Sequence, residues 1–152
     1  MQPILIKKDI GTGLMAASAR RAERADCVVR AFAACLVERE QGDAEAAYRF
    51  AHAAVKHACG RANRKGCPRW QMAAKPLGLC MTEIFVTGHT IRTVTLELPK
   101  TGRYILKVKG HVAAVVDGVC HDWAAGKCMR IISVWHITDS SASDAIASQG
   151  TE

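Results

Sequence analysis

No apolar run in these 152 residues approaches the length that spans a bilayer, and the opening MQPILIKKDI lacks the apolar centre of a signal peptide. No membrane association is expected, and the expected location is cytoplasmic. The chain has no internal repeat and no CxxC pair, although it carries seven cysteines. Two His/Cys groups stand out, His57, Cys59 and Cys67, then Cys120, His121 and Cys128. Their eight-residue cysteine separations do not suit a zinc knuckle, so no metal and no other cofactor is expected. An odd cysteine count leaves at least one thiol free, and in a reducing compartment all are expected to be free. A buried free cysteine packs as a small hydrophobe, which is the default role for most of them.

Hydrophobic residues make up 49% of the chain, much of it alanine, which is enough for one domain with its own core. That domain is expected over residues 1–137, followed by a small, polar, flexible tail over 138–152. Twenty-one basic against 14 acidic residues give a net charge of +7, but the bases are scattered, with short clusters at Arg20–Arg21 and residues 61–65. Scatter of that kind fits a solvated surface better than a nucleic-acid interface.

Local patterning predicts helices first and strands second. Residues 2–10 read as a short edge strand ended by a turn at Gly11, Thr12 and Gly13, and 14–25 as a helical stretch. Asp26 is a suitable N-cap for a helix over about 27–40, whose inner stripe is Val28, Ala31, Phe32, Cys35 and Leu36. Asp43 and Gly60 bracket a second helix over 44–59 with Tyr48, Ala51, Val55 and Cys59 inside. Residues 61–70 form a basic loop, and a short helix is expected over 79–85. From residue 93 the period becomes two, giving strand candidates at 93–98, 104–108, 112–116, 119–123 and 130–137. This order is that of an α+β fold, N-terminal helices packed on a C-terminal antiparallel sheet.

The most informative stretch is KGHVAAVVDGVCHDW, residues 109–123. Asp117 and Gly118 are a strong two-residue hairpin signal between two β-favouring runs. With those two as the loop, Val116 faces Val119, Ala114 faces His121 and Ala113 faces Asp122. Side chains alternate along a strand, so His111 shares a face with Ala113 and hence with Asp122, a diagonal neighbour at roughly 7–8 Å. His121 points to the other face. An imidazole beside a carboxylate calls for a third partner, and Cys27 is the candidate. It lies directly after a cap, where helix N–H groups and the helix dipole favour a thiolate. Thiolate attack, proton delivery by the imidazolium and a carboxylate that fixes the tautomer make up nucleophilic catalysis.

DCVVRAFA at 26–33, Tyr48 in the next helix, and GRYILKVKGHVAAVVDGVCHDW at 102–123 together resemble the small papain-like cysteine peptidase domains found as uncharacterised proteins of bacteriophages and bacteria. The likeness covers about 25–137. It implies a papain-like fold, a thiol-dependent peptidase, isopeptidase or amidase, and the roles of nucleophile for Cys27, base and acid for His111, and orienting residue for Asp122. A phage origin would place the enzyme in the host cytoplasm. The implied partner is a polypeptide or peptide-conjugate substrate. One feature departs from the pattern. Residues 15–26 hold no Gln or Asn to donate to an oxyanion, leaving the Cys27 N–H as one donor and a second unassigned. The alternatives are a non-catalytic binding, inhibitor or virion-associated protein on the same fold, and a basic nucleic-acid-binding module built on residues 61–65 and Trp70.

Overall fold

A computed structural model describes residues 9–20, 26–60 and 69–140. Its elements are α1 (Asp9–Arg20), α2 (Cys27–Leu36), α3 (Ala44–Cys59), a 3-10 turn (Trp70–Ala73), β1 (Leu79–Ile84), α4 (Ile91–Glu97), β2 (Arg103–Val108), β3 (His111–Val116), β4 (Val119–Cys120) and β5 (Ile131–Asp139). The five strands form one antiparallel sheet in the order β1-β5-β2-β3-β4. The chain is therefore α+β. Residues 2–8 of the expected N-terminal edge strand, 61–68 of the basic loop and most of the tail lie outside the described residues, and residues 9 and 10, expected to end that strand, open α1 instead.

The helices α1, α2 and α3 share a core with one face of the sheet, through Ile105, Val112, Ala114, Val116 and Ile137. The short α4 covers part of the opposite face, packing Ile91, Val94 and Leu98 with Tyr104, Leu106, Val108, Val115 and Val134. Helix α2 is at the centre: all ten of its residues are buried, as expected of a helix with neighbours on every side. Phe32, fully buried, meets Trp70 at 6.0 Å between ring centroids, and Trp70 meets Trp135 of β5 edge-on at 5.3 Å. These contacts tie the helical layer to the sheet. Helix α3 has the ends expected of it, with Asp43 accepting from the Ala46 N–H at 3.1 Å and Gly60 closing the helix at φ 78°.

Four local expectations are corrected. Gly11, Thr12 and Gly13 do not turn the chain, because α1 runs through them. A β-carbon at Gly13 would lie 2.8 Å from that of Ala44, so this glycine permits the close approach of α1 and α3. Residues 79–84 are a strand where a helix over 79–85 was expected. β1 pairs along its length with β5, from Leu79 opposite Asp139 to Ile84 opposite Val134, a partner some fifty residues away that no local pattern reveals. Residues 93–97 are helical, with Leu98 as the cap, where a strand over 93–98 was expected. The β-branched Thr93, Val94 and Thr95 suggest a strand, but Thr90 and Thr93 form a reciprocal capping box, and Ile91, Val94 and Leu98 recur at helical spacing on the buried side. Finally, β5 continues to Asp139, past the expected domain boundary at residue 137.

Candidate active site

The β3–β4 hairpin keeps the register expected of it: Val116 pairs with Val119, Val115 with Cys120, and the His121 N–H donates to the Ala114 carbonyl at 3.0 Å. Asp117 at φ 49° and Gly118 at φ 82° form the left-handed two-residue loop. The Asp117 carboxylate accepts from the Gly102 N–H at 2.8 Å and braces the loop against the start of β2. The returning strand is shorter than the 119–123 expected, because it leaves the sheet after Cys120. Asp122 then opens a turn in which its Oδ2 accepts from the Ala124 N–H at 2.9 Å, a bond of the kind that favours Asp at such positions. That turn, rather than strand alternation alone, aims the carboxylate.

Asp122 Oδ2 lies 2.7 Å from His111 Nε2. The His111 side chain is also hydrogen bonded to the thiol of Cys27. The structure thus brings together the three residues singled out in the sequence. Cys27 and His111 are buried, at 3% and 5% exposure, and Asp122 is half-buried as a residue with its side chain turned inward. Burial opposes charge on both members of the thiol–imidazole pair. On Cys27 it is outweighed by the hydrogen bonds from His111 and the Val112 backbone and by the positive charges of His111 and Arg30, so the thiol is more acidic than usual. On His111 it is outweighed by Asp122 and Cys27, and the imidazole is pushed up to about 9. A lowered thiol and a raised imidazole favour the thiolate–imidazolium state. Cys35, two turns along the same helix and fully buried with only the charge of Arg103 to offset burial, is pushed up to about 12.

Asp26 departs from its expected role. It occupies the N-cap position of α2, but its side chain makes no cap hydrogen bond. The carboxylate turns inward, where Oδ2 accepts from Ser18 Oγ at 2.5 Å and Tyr48 OH at 2.7 Å, and Oδ1 accepts from Arg30 Nε at 3.0 Å. Burial raises its pKa, but those three hydrogen bonds and the Arg30 charge bring it below the ordinary carboxylate value. Sequence reasoning overlooked Ser18 and Arg30. For Arg30 a signal was present, a single cation in the otherwise apolar helix CVVRAFAACL.

Trp123 lies against His111, with ring centroids 4.8 Å apart, and is 57% exposed, so it forms an indole wall between the imidazole and solvent. His121 is buried on its own account, and its Nε2 has no hydrogen-bond partner among the described residues. Also among the described residues, no group of three or more His, Cys, Asp or Glu side chains is placed to hold a metal ion, and no helix is long and apolar enough to cross a membrane. Cys67 and residues 61–65, which the zinc and nucleic-acid alternatives need, lie outside them. Compared with protein-family models, with curated proteins and with solved structures, the chain matches none.

Proposed function

We propose that this chain is a papain-like thiol hydrolase, acting on a peptide, isopeptide or related amide bond in a polypeptide or peptide-conjugate substrate. The single observation that carries the reading is the hydrogen-bonded series Cys27–His111–Asp122, with an acidic thiol at one end and a buried carboxylate at the other. The Cys27 thiolate attacks the carbonyl carbon and forms a tetrahedral oxyanion. Collapse of that adduct breaks the C–N bond, the departing amine takes the proton of the His111 imidazolium, and an acyl-thioester is left on Cys27. Water then gives its proton to His111 as it attacks the thioester, which releases the acid and restores the thiolate. Cys27 is the first residue of α2, where the N–H has no partner within the helix, so its N–H is the donor offered to the oxyanion. The proposal includes a cytoplasmic site of action, in the host if the chain is phage-encoded.

A second reading has one observation in its favour: at 3% exposure Cys27 is nearly closed off, as in a scaffold that binds without turnover. Alkylation by iodoacetamide, with the modified cysteine identified by mass spectrometry, separates the two. On the hydrolase reading Cys27 reacts at least about tenfold faster than the other thiols near pH 6.5, where an unperturbed thiol is almost wholly protonated, and His111→Ala abolishes the difference. Equal rates would leave the binding scaffold as the better account.

A further inference from the structure

Arg30 is the anomaly of α2. It is the one charged side chain in a helix buried on every side, and its own exposure is 9%. Nε donates to Asp26 Oδ1 at 3.0 Å, and Nη1 to Asp122 Oδ1 at 3.2 Å and to Met15 Sδ at 3.3 Å. The remaining carboxylate oxygens are occupied as well. Asp26 Oδ2 takes the hydroxyls of Ser18 and Tyr48, and Asp122 Oδ2 takes His111 Nε2 and the Ala124 N–H. Four parts of the fold therefore converge on one guanidinium: α1 through Ser18 and Met15, α3 through Tyr48, the start of α2 through Asp26, and the exit of the hairpin through Asp122.

We propose that Arg30 is a positioning residue of the site, holding Asp122 by one oxygen so that the other stays on His111, with Asp26, Ser18 and Tyr48 fixing the guanidinium in turn. The proposal rests on the thiol-hydrolase reading. A buried ion pair is kept only where its geometry is good and its other bonding capacity is filled, and here all four oxygens of the two carboxylates are engaged. The planar fork of arginine can serve two carboxylates at once, which the single point charge of lysine does poorly. The charged groups acting on the thiol are His111 from β3 and Arg30 from α2, and behind them Asp122 at the hairpin exit and Asp26 ahead of α2 hold those two. Among the described residues, α1 and α3 add to this cluster the neutral groups Ser18, Met15 and Tyr48. Removing the guanidinium leaves two buried carboxylates with no cation between them, and one must take up a proton. A proton on Asp122 weakens its hold on the imidazolium. A proton on Asp26 leaves Asp122 unclamped and the thiolate without a neighbouring positive charge. In both cases the thiol gives up its proton at higher pH.

The test is the pH dependence of Cys27 alkylation in the wild type, Arg30→Lys and Arg30→Met, each checked for folding by circular dichroism. The acid limb is expected to move up by about one pH unit in Arg30→Met, an about tenfold slower reaction at a fixed pH on that limb, and by less in Arg30→Lys. A folded variant of either kind with an unmoved limb overturns the role of Arg30. Should both substitutions prevent folding, the wild-type chain decides: the Nε–H resonance of Arg30 is expected to titrate with the same midpoint as Cys27 reactivity, and a resonance indifferent to that titration overturns the proposal. The two levels separate cleanly. A wild-type Cys27 no more reactive than its fellows removes the hydrolase reading and this proposal with it, whereas a reactive wild type with unmoved variants removes this proposal alone.

Discussion

His111 and His121 stand ten residues apart on one hairpin and are driven in opposite directions by their surroundings. Burial disfavours charge on both, but His111 has Asp122 and Cys27 beside it and is pushed up to about 9, whereas His121 has only the more modest pull of Asp117 and is lowered. Linkage turns each into a stability statement. A raised imidazole contributes stability in full below its unfolded value of 6.5 and loses it as pH rises through about 9. In a Cys27→Ala background, which removes the coupled thiol, the destabilisation caused by His111→Gln should therefore be larger at pH 6 than at pH 9.5 in urea titrations. The lowered His121 has the opposite sign: the unfolded chain takes the proton first, and stability falls as pH drops through 6.5. His121→Leu should gain on the wild type between pH 7.5 and pH 5, and a constant difference would show that the ring is not buried neutral. Turnover carries its own limit. Because the leaving amine must collect a proton from the imidazolium, hydrolysis of an amide should decline above about pH 9, although alkylation of the thiolate need not.

Elements were legible in proportion to how local their causes are. The hairpin was fixed by Asp117, Gly118 and simple alternation, and α3 by a cap and a stop. Hence Cys27, His111 and Asp122 could be picked out before their contacts were known. β1 was misassigned because what makes it a strand is β5, and α4 because its capping box outweighs the preference of three β-branched residues. Arg30 illustrates the limit at the site itself: one partner is four residues away and the other ninety-two, and only the fold brings the three together. The hairpin also allows a direct test. Gly118 is at φ 82°, and an added β-carbon would meet Lys100 Cδ at 2.8 Å. The Lys100 side chain can move aside, so the main cost of Gly118→Ala is the left-handed backbone, about 1 kcal/mol. It should appear as a lower urea midpoint with an unchanged slope, accompanied by slower Cys27 alkylation if the loop indeed sets the position of Asp122.

At the scale of the whole molecule, the site straddles the two layers of the fold, with its thiol on a helix and its imidazole on a strand. Helix α2 is packed against α3 and β3, and the Phe32–Trp70–Trp135 contacts cross the same boundary. The helical layer and the sheet are then expected to come apart together. In urea, tryptophan fluorescence and the enhanced reactivity of Cys27 should disappear in a single coincident transition, and a separate, earlier loss of reactivity would mean that the hairpin end opens locally. Phe32→Ala, which empties the centre of this arrangement, should cost about 3–5 kcal/mol by the same measurement.

Cys27 and Cys35 lie on one helix with opposite acid strengths, the first lowered from 9.0 and the second pushed up to about 12. One chain thereby carries a responsive thiol together with an inert reference on the same rigid rod. Their labelling ratio within a single molecule is independent of protein concentration and of reagent age. It turns a comparison between samples into a calibration that travels with the protein.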